Sequence, residues 1–174
     1  MTINVQFSDA SEQEVIAYFA SPQDAEAYPN QAQIDESDPR YLAFANPAST
    51  LAGARAAKIA ELSAACKASI YAGFTSDALA TGYTYPAKDT DQQNLASSVI
   101  DSLLSDGAAG WATPFWCADP DGVWAFRMHT AAQIQQVGKD AKVAVLAAMS
   151  KNQALVGRVA AAESVDAVKL IAWA

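Results

Sequence analysis

Most of the side chains that could do chemistry lie between Trp111 and Thr130. This stretch holds three of the four tryptophans and the only histidine. His129 is the one available imidazole base. A catalytic triad would set it beside Ser97, Ser98 or Cys117, with an acid such as Asp119 to orient it. No Gly-x-Ser-x-Gly elbow is present, and His129 immediately precedes a residue suited to cap a helix, so a structural role is expected for it. Asp119 and Asp121, with Asp91, raise the question of an acid pair or a calcium loop. The run Asp119-Pro120-Asp121-Gly122 lacks the spaced acids and terminal Glu of a calcium-binding loop, and its proline and glycine are what a tight turn needs. No spacing points to a glycosidase carboxylate pair. Trp111, Phe115, Trp116, Trp124 and Phe126 could stack on bases or sugars, but such platforms come with a basic groove. Only Arg127 is basic here, so core or interface packing is the expectation. In Asp91-Gln92-Gln93-Asn94-Leu95 the amides are expected to support neighbouring backbone, the other reading being a polar binding surface. Cys66 and Cys117 are expected to be buried, reduced thiols, and two cysteines with one histidine make a poor zinc set. No residue is assigned to catalysis, to a cofactor or to a metal.

The elements that must carry these side chains can be read from periodicity. Ile3, Val5 and Phe7 alternate with polar residues as in a half-buried strand. Val15–Phe19 and Gln31–Asp35 read as two further strands, and together the three predict a small antiparallel meander. Asp38-Pro39 starts a short helix. A long helix over about 50–72 places Ile59, Leu62, Cys66 and Ile70 on one face, with Gly73 as its stop. A hairpin follows over 74–88. A second helix, about 90–104, is capped by Thr90 or Asp91 and buries Leu95, Val99 and Leu103. After a glycine-rich link at 106–110, residues 111–130 form a hairpin around Asp119–Gly122. Thr130 caps a last long helix to about 162, with Ile134, Val137, Ala141, Val145, Leu155 and Val159 inward. Gly138 and Gly157 inside it either permit close helix contact or mark a break. A final helical turn spans 165–172. The fold class is α+β: a small antiparallel β-rich N-terminal head, then long helices with two β-hairpins.

The chain has 174 residues and a formal charge of −8, a size that fits one domain or a domain with a small appendage. Residues 1–46 contain eight acids (Asp9, Glu12, Glu14, Asp24, Glu26, Asp35, Glu36, Asp38) and one base, Arg40; the rest are nearly neutral. The chain is therefore divided into an acidic head, 1–46, and a body, 47–174. The acidity argues against nucleic acid as a partner, and no apolar run is long enough for a transmembrane helix. The Ala-rich long helices are compatible with a helical hairpin or a modest oligomer seam, so a homo-oligomer is one expected arrangement.

Taken in order, Lys58-Ile59-Ala60-Glu61-Leu62, Ala72-Gly73-Phe74-Thr75-Ser76, Tyr85, Asp91-Gln92-Gln93-Asn94-Leu95, Asp121-Gly122-Val123-Trp124 and His129-Thr130-Ala131-Ala132-Gln133, with the late Trp173, resemble an uncharacterised domain family of bacteriophage and prophage tail proteins, of the tail fibre assembly or tail fibre chaperone type. The resemblance covers about residues 55–173. It implies a protein–protein role and no catalytic residues or cofactors. The expected partner is a phage tail fibre protein. Two versions follow: an assembly chaperone in the host cytoplasm that holds the fibre's distal part, or a lasting virion component of the tail, fibre or baseplate. A carbohydrate-acting surface enzyme is a distant third.

Overall fold

A computed structural model describes residues 1–105 and 110–174; the glycine-rich link expected at 106–110 lies outside the described residues except for Gly110. The chain divides into two compact units, one of residues 1–61 with 157–172 and Ala174, the other of residues 62–156 with Trp173.

In the first unit, β1 (Thr2–Phe7), β2 (Val15–Phe19) and β3 (Gln31–Asp35) form an antiparallel sheet in the order β2-β1-β3. The three strands stand where they are expected, but they are not a meander. β3 returns to pair with β1, with Ile3 opposite Ile34 and Val5 opposite Ala32. The central strand is thus the one with the strictest apolar alternation, and Val5, Phe7, Val15 and Ile34 form the buried cluster, packed by Tyr41 and Phe44. Those two aromatics come from α1 (Pro39–Ala45). Asp38 caps α1 by accepting from the Arg40 amide at 2.9 Å, and Pro39 supplies a first-turn residue with no N–H to satisfy.

The acids of this sheet region are engaged locally. Asp9, Asp24, Asp35 and Asp38 each accept from a backbone amide two residues on, at 2.8, 2.9, 2.8 and 2.9 Å. These are Asx turns, in which a carboxylate replaces a backbone acceptor at a tight bend. Arg40 closes on Asp38 with two contacts, 3.0 and 2.7 Å, donates to the Glu12 carbonyl at 2.9 Å, and lies over the Phe7 ring at 4.8 Å. Its guanidinium, with its own amide, holds the Asp38 carboxyl down at about 2.

The second unit contains a four-stranded antiparallel sheet in the order β4-β5-β6-β7, made from β4 (Phe74–Ser76), β5 (Tyr83–Tyr85), β6 (Ala112–Ala118) and β7 (Trp124–Thr130). Helix α2 (Leu51–Tyr71) leads into this sheet, and α3 (Asp89–Leu104) and α4 (Ala131–Ala161) follow its two hairpins. Gly73 ends the approach from α2 with φ +93°, and a Cβ there would stand 2.3 Å from the Tyr85 carbonyl oxygen. The core is Phe74, Tyr85, Ala87, Leu95, Phe115, Cys117, Ile134 and Val137. Thr130 and Gln133 make a reciprocal cap at the start of α4: the Thr130 amide donates to Gln133 Oε1 at 2.9 Å, and the Gln133 amide donates to Thr130 Oγ1 at 3.4 Å.

Two expectations for α3 are corrected. Its cap residue is Lys88, and Asp91 stands in the first turn, accepting from the Lys88 amide at 3.0 Å. Leu103 is 58% exposed, and Ser102 is buried in its place. A helix advances about 100° per residue, so eight residues beyond Leu95 lies about 80° off its face whereas seven lies only about 20° off. The Ser102 hydroxyl donates to the Val99 carbonyl at 2.7 Å and accepts from Gln135 Nε2 at 3.1 Å, which satisfies it indoors. On α2, Leu62 and Cys66 are buried as expected, while Ile59 lies at the exposed margin of the stripe. Gly138 has a packing reason, since a Cβ there would meet Val99 Cγ2 at 2.9 Å; Gly157 has open space beside it. The last helix, α5, spans Val165–Lys169, with Ser164 accepting from the Ala167 amide at 3.1 Å.

Candidate functional site

The β6–β7 hairpin is built around Asp119. Its Oδ1 accepts from the amides of Asp121 at 3.1 Å and Val123 at 2.9 Å, and its Oδ2 pairs with Arg127 Nη2 at 2.7 Å. Gly122 takes φ +81° at the bend, a conformation open to a residue without Cβ. Both oxygens of Asp119 are therefore committed to the turn. Asp91 works at the start of α3, so the three aspartates do not converge, and no cluster of His, Cys, Asp and Glu with the make-up of a metal site occurs among the described residues.

Beyond the turn the two strands pair in unbroken register from Ala112↔Thr130 to Ala118↔Trp124. Alternation gives the hairpin two faces. The inner one carries Thr113, Phe115 and Cys117 opposite His129, Arg127 and Ala125. His129 is fully buried. Its Nδ1 lies 2.8 Å from the Arg127 carbonyl and its Nε2 lies 2.8 Å from Tyr85 Oη. A carbonyl only accepts, so Nδ1 carries the proton and Nε2 accepts from the tyrosine hydroxyl. Burial lowers the His129 pKa, against the opposing pull of the Arg127 carbonyl. Burial also raises Tyr85 and Cys117 above their ordinary values. The trio is thus an uncharged imidazole, an un-ionised phenol and an un-ionised thiol. Ser97, Ser98 and Asp119 are not partners of this imidazole, and Cys117 is held as the thiol and not the nucleophilic thiolate. The residues weighed as a triad are dispersed or inert, and His129 is a polar member of the core.

The outer face differs. Trp116 pairs with Phe126, Pro114 with Met128, and Ala118 with Trp124. Trp116 and Trp124 stack with centroids 6.2 Å apart, and Phe126 meets Trp116 edge-on at 5.0 Å. These rings are not core: Trp116 is 41% exposed, Trp124 42%, Phe126 69% and Met128 59%. Val123, in the loop, is also exposed. The aromatic set expected to act together therefore splits by parity. Phe115 is buried; Trp116, Trp124 and Phe126 face solvent; Trp111 flanks the core and donates to Asp101 at 3.0 Å. The period-2 pattern was the available signal for this division, because even-numbered positions from 114 to 128 hold nearly all of the large exposed side chains. β7 is moreover the edge of its sheet, so a row of backbone groups runs beside the aromatic face. Clustered exposed apolar side chains are a common feature of interaction surfaces, and an exposed apolar edge strand is a template for pairing with another chain.

The polar run at the start of α3 gives a mixed outcome. Gln92 Nε2 donates to the Ala87 carbonyl at 2.7 Å, supporting backbone next to β5, whereas Gln93 and Asn94 are exposed. Cys66 and Cys117 are both buried free thiols, as expected. No helix among the described residues is long and apolar enough to cross a membrane.

A family model described as a domain of unknown function, DUF4376, matches residues 53–172. The chain belongs to this DUF4376 family. The matched span holds the hairpin and α2, α3 and α4 almost entire, and it begins beyond the β1–β3 sheet. No curated protein and no solved structure matches the chain.

Proposed function

We propose that this DUF4376 protein is a tail-fibre assembly chaperone of a bacteriophage or prophage, acting by binding and not by catalysis, and that its partner is a tail fibre protein. The single observation that carries a binding role is the outer face of the β6–β7 hairpin, where Trp116, Trp124, Phe126 and Met128 lie exposed on one side of an edge strand. Such a face offers two things to an immature fibre end: apolar area for its unburied side chains, and an edge for strand addition. The phage assignment itself is supported by the ordered residues of 55–173 that resemble phage tail proteins. The one imidazole, His129, is buried between the Arg127 carbonyl and the Tyr85 hydroxyl, where it serves the core.

Co-expression with a phage tail fibre gene tests the reading. The fibre should co-purify with the wild-type chain and be recovered as assembled oligomer, and Trp124→Ser with Phe126→Ser should lower both yields while the variant stays folded. Fibre that assembles equally well without the chain would end the chaperone reading. Mass spectrometry of purified particles separates the second version: stoichiometric chain in the particle would make it a virion component instead.

A further inference from the structure

A second surface lies among the helices of the same unit. A groove of about 630 Å³ is bounded by the end of α2, by α3 and by α4. Ala96, Gly138, Ala141 and Ala144 keep it wide, and Phe74 and Leu95 line it from the core. One rim is apolar and uncovered: Ile100 is 56% exposed and Leu103 58%. The α4 side carries Lys139 and Lys142, three residues apart and so on one helix face. Neither lysine has an ion pair or side-chain hydrogen bond among the described residues, in a chain whose net charge is −8. The polar amides in the groove are already used, Gln92 on the Ala87 carbonyl and Gln135 on Ser102. The charge left over at this surface is therefore positive only.

We propose that this groove docks an amphipathic helix of a partner protein, with apolar residues at positions i, i+3 or i+4, and i+7 seated between α3 and α4, and with acidic residues meeting Lys139 and Lys142. Volume alone would also admit a small ligand, since such pockets run from about 300 to 1,000 Å³. But small ligands are held with most of their surface buried, and a rim whose leucine and isoleucine are more than half exposed cannot enclose one. A helix covers such a rim with its own flanks, the ordinary mode of helix-in-groove recognition. The acid requirement follows from the two unpaired ammonium groups, which steer and orient a negative partner. This proposal does not depend on the fibre assignment or on the hairpin face.

The test uses a dye-labelled synthetic helix of about five turns, leucine at the stated spacing and glutamate on the flanks, and a sister peptide with lysine in place of glutamate. Fluorescence anisotropy with the full chain should show saturable binding of the glutamate peptide and much weaker binding of the lysine peptide. Lys139→Glu with Lys142→Glu should weaken the glutamate peptide about tenfold, as two reversed surface charge pairs would, and should improve the lysine peptide. Ala96→Phe, at an exposed position of the groove, should abolish saturation, with circular dichroism and thermal melting confirming an unchanged fold. Equal binding of the two peptides, or unaltered binding to a folded Ala96→Phe chain, would overturn the proposal. So would displacement of the peptide by equimolar fluorescent palmitate, which would make this a fatty-acid site. A concentration-dependent dimer dissolved by Ala96→Phe would overturn it in favour of a second copy as occupant.

Discussion

Tyr85→Phe is the sharpest probe of the hairpin's inner face. The Tyr85 ring is fully buried, stacks on Phe74 with centroids 5.5 Å apart and touches the rings of Phe115 and His129. Phenylalanine keeps all of that area, so no cavity term arises. What disappears is one O–H donor, 2.8 Å from a ring nitrogen of a residue with no solvent exposure. His129 Nε2 then becomes a buried acceptor without a donor, a loss worth about 1–3 kcal/mol. For a chain of this length each kcal/mol moves the midpoint by about 2–4 °C, so a drop of about 2–12 °C is expected in a calorimetric scan at pH 7.5. The acid side gives a second readout. The His129 pKa is lowered in the folded protein, so below about 6.5, the unfolded value, the unfolded chain binds the extra proton. Stability is therefore complete above about pH 7 and falls as pH drops below about 6.5. His129→Gln should remove that acid-side slope while leaving other carboxylate-driven losses at lower pH. A Tyr85→Phe change under about 0.5 kcal/mol, the ordinary range of a surface substitution, would refute the buried-pair reasoning.

Three further outcomes are expected. Trp124→Ser with Phe126→Ser should cost under about 1 kcal/mol by chemical denaturation, whereas Phe115→Ala, on the opposite face of the same hairpin, should cost about 3–5 kcal/mol; equal losses would put the outer face in the core. Gly73→Ala should cost at least about 2 kcal/mol, because the site has positive φ and a carbonyl oxygen where the methyl must go; a neutral melt would contradict that geometry. The Asp38 carboxyl titrates at about 2 when folded and near 3.9 when unfolded, so its contribution is present above about pH 4 and is lost as pH falls through about 2. Amide exchange in α1 should accelerate over that window, and Asp38→Ala, which removes the capping acceptor, should leave α1 frayed at every pH.

Much of the fold was legible because strong local signals agree. Strands β1 to β3, the Asp38-Pro39 start of α1, the Gly73 stop and the Asp119–Gly122 turn each announce themselves within a few residues. Pairing order is a different matter. Nothing local in Gln31–Asp35 says whether it lies against β2 or β1, so a meander and a β1-centred sheet read alike. The face of α3 was misjudged by extending a four-residue spacing two steps, where the accumulating angular drift gives the inward position to Ser102. The aromatics of 111–130 could be grouped by composition, but only strand register separates Phe115 from Trp116. The candidate triad dissolved for a related reason: the side-chain partner of His129 is Tyr85 on β5, a strand more than forty residues earlier in the chain.

The first unit is discontinuous, closing residues 1–61 with residues 157–172. That has a temporal meaning on the ribosome. Synthesis adds about 5–20 residues per second, and units fold as their residues appear. Residues 62–156 are all available while Val159, Val168 and Ile171, each buried in the finished protein, have yet to emerge. The unit begun first is therefore completed only after the second, and a premature stop before Gly157 leaves it without the segment that closes it.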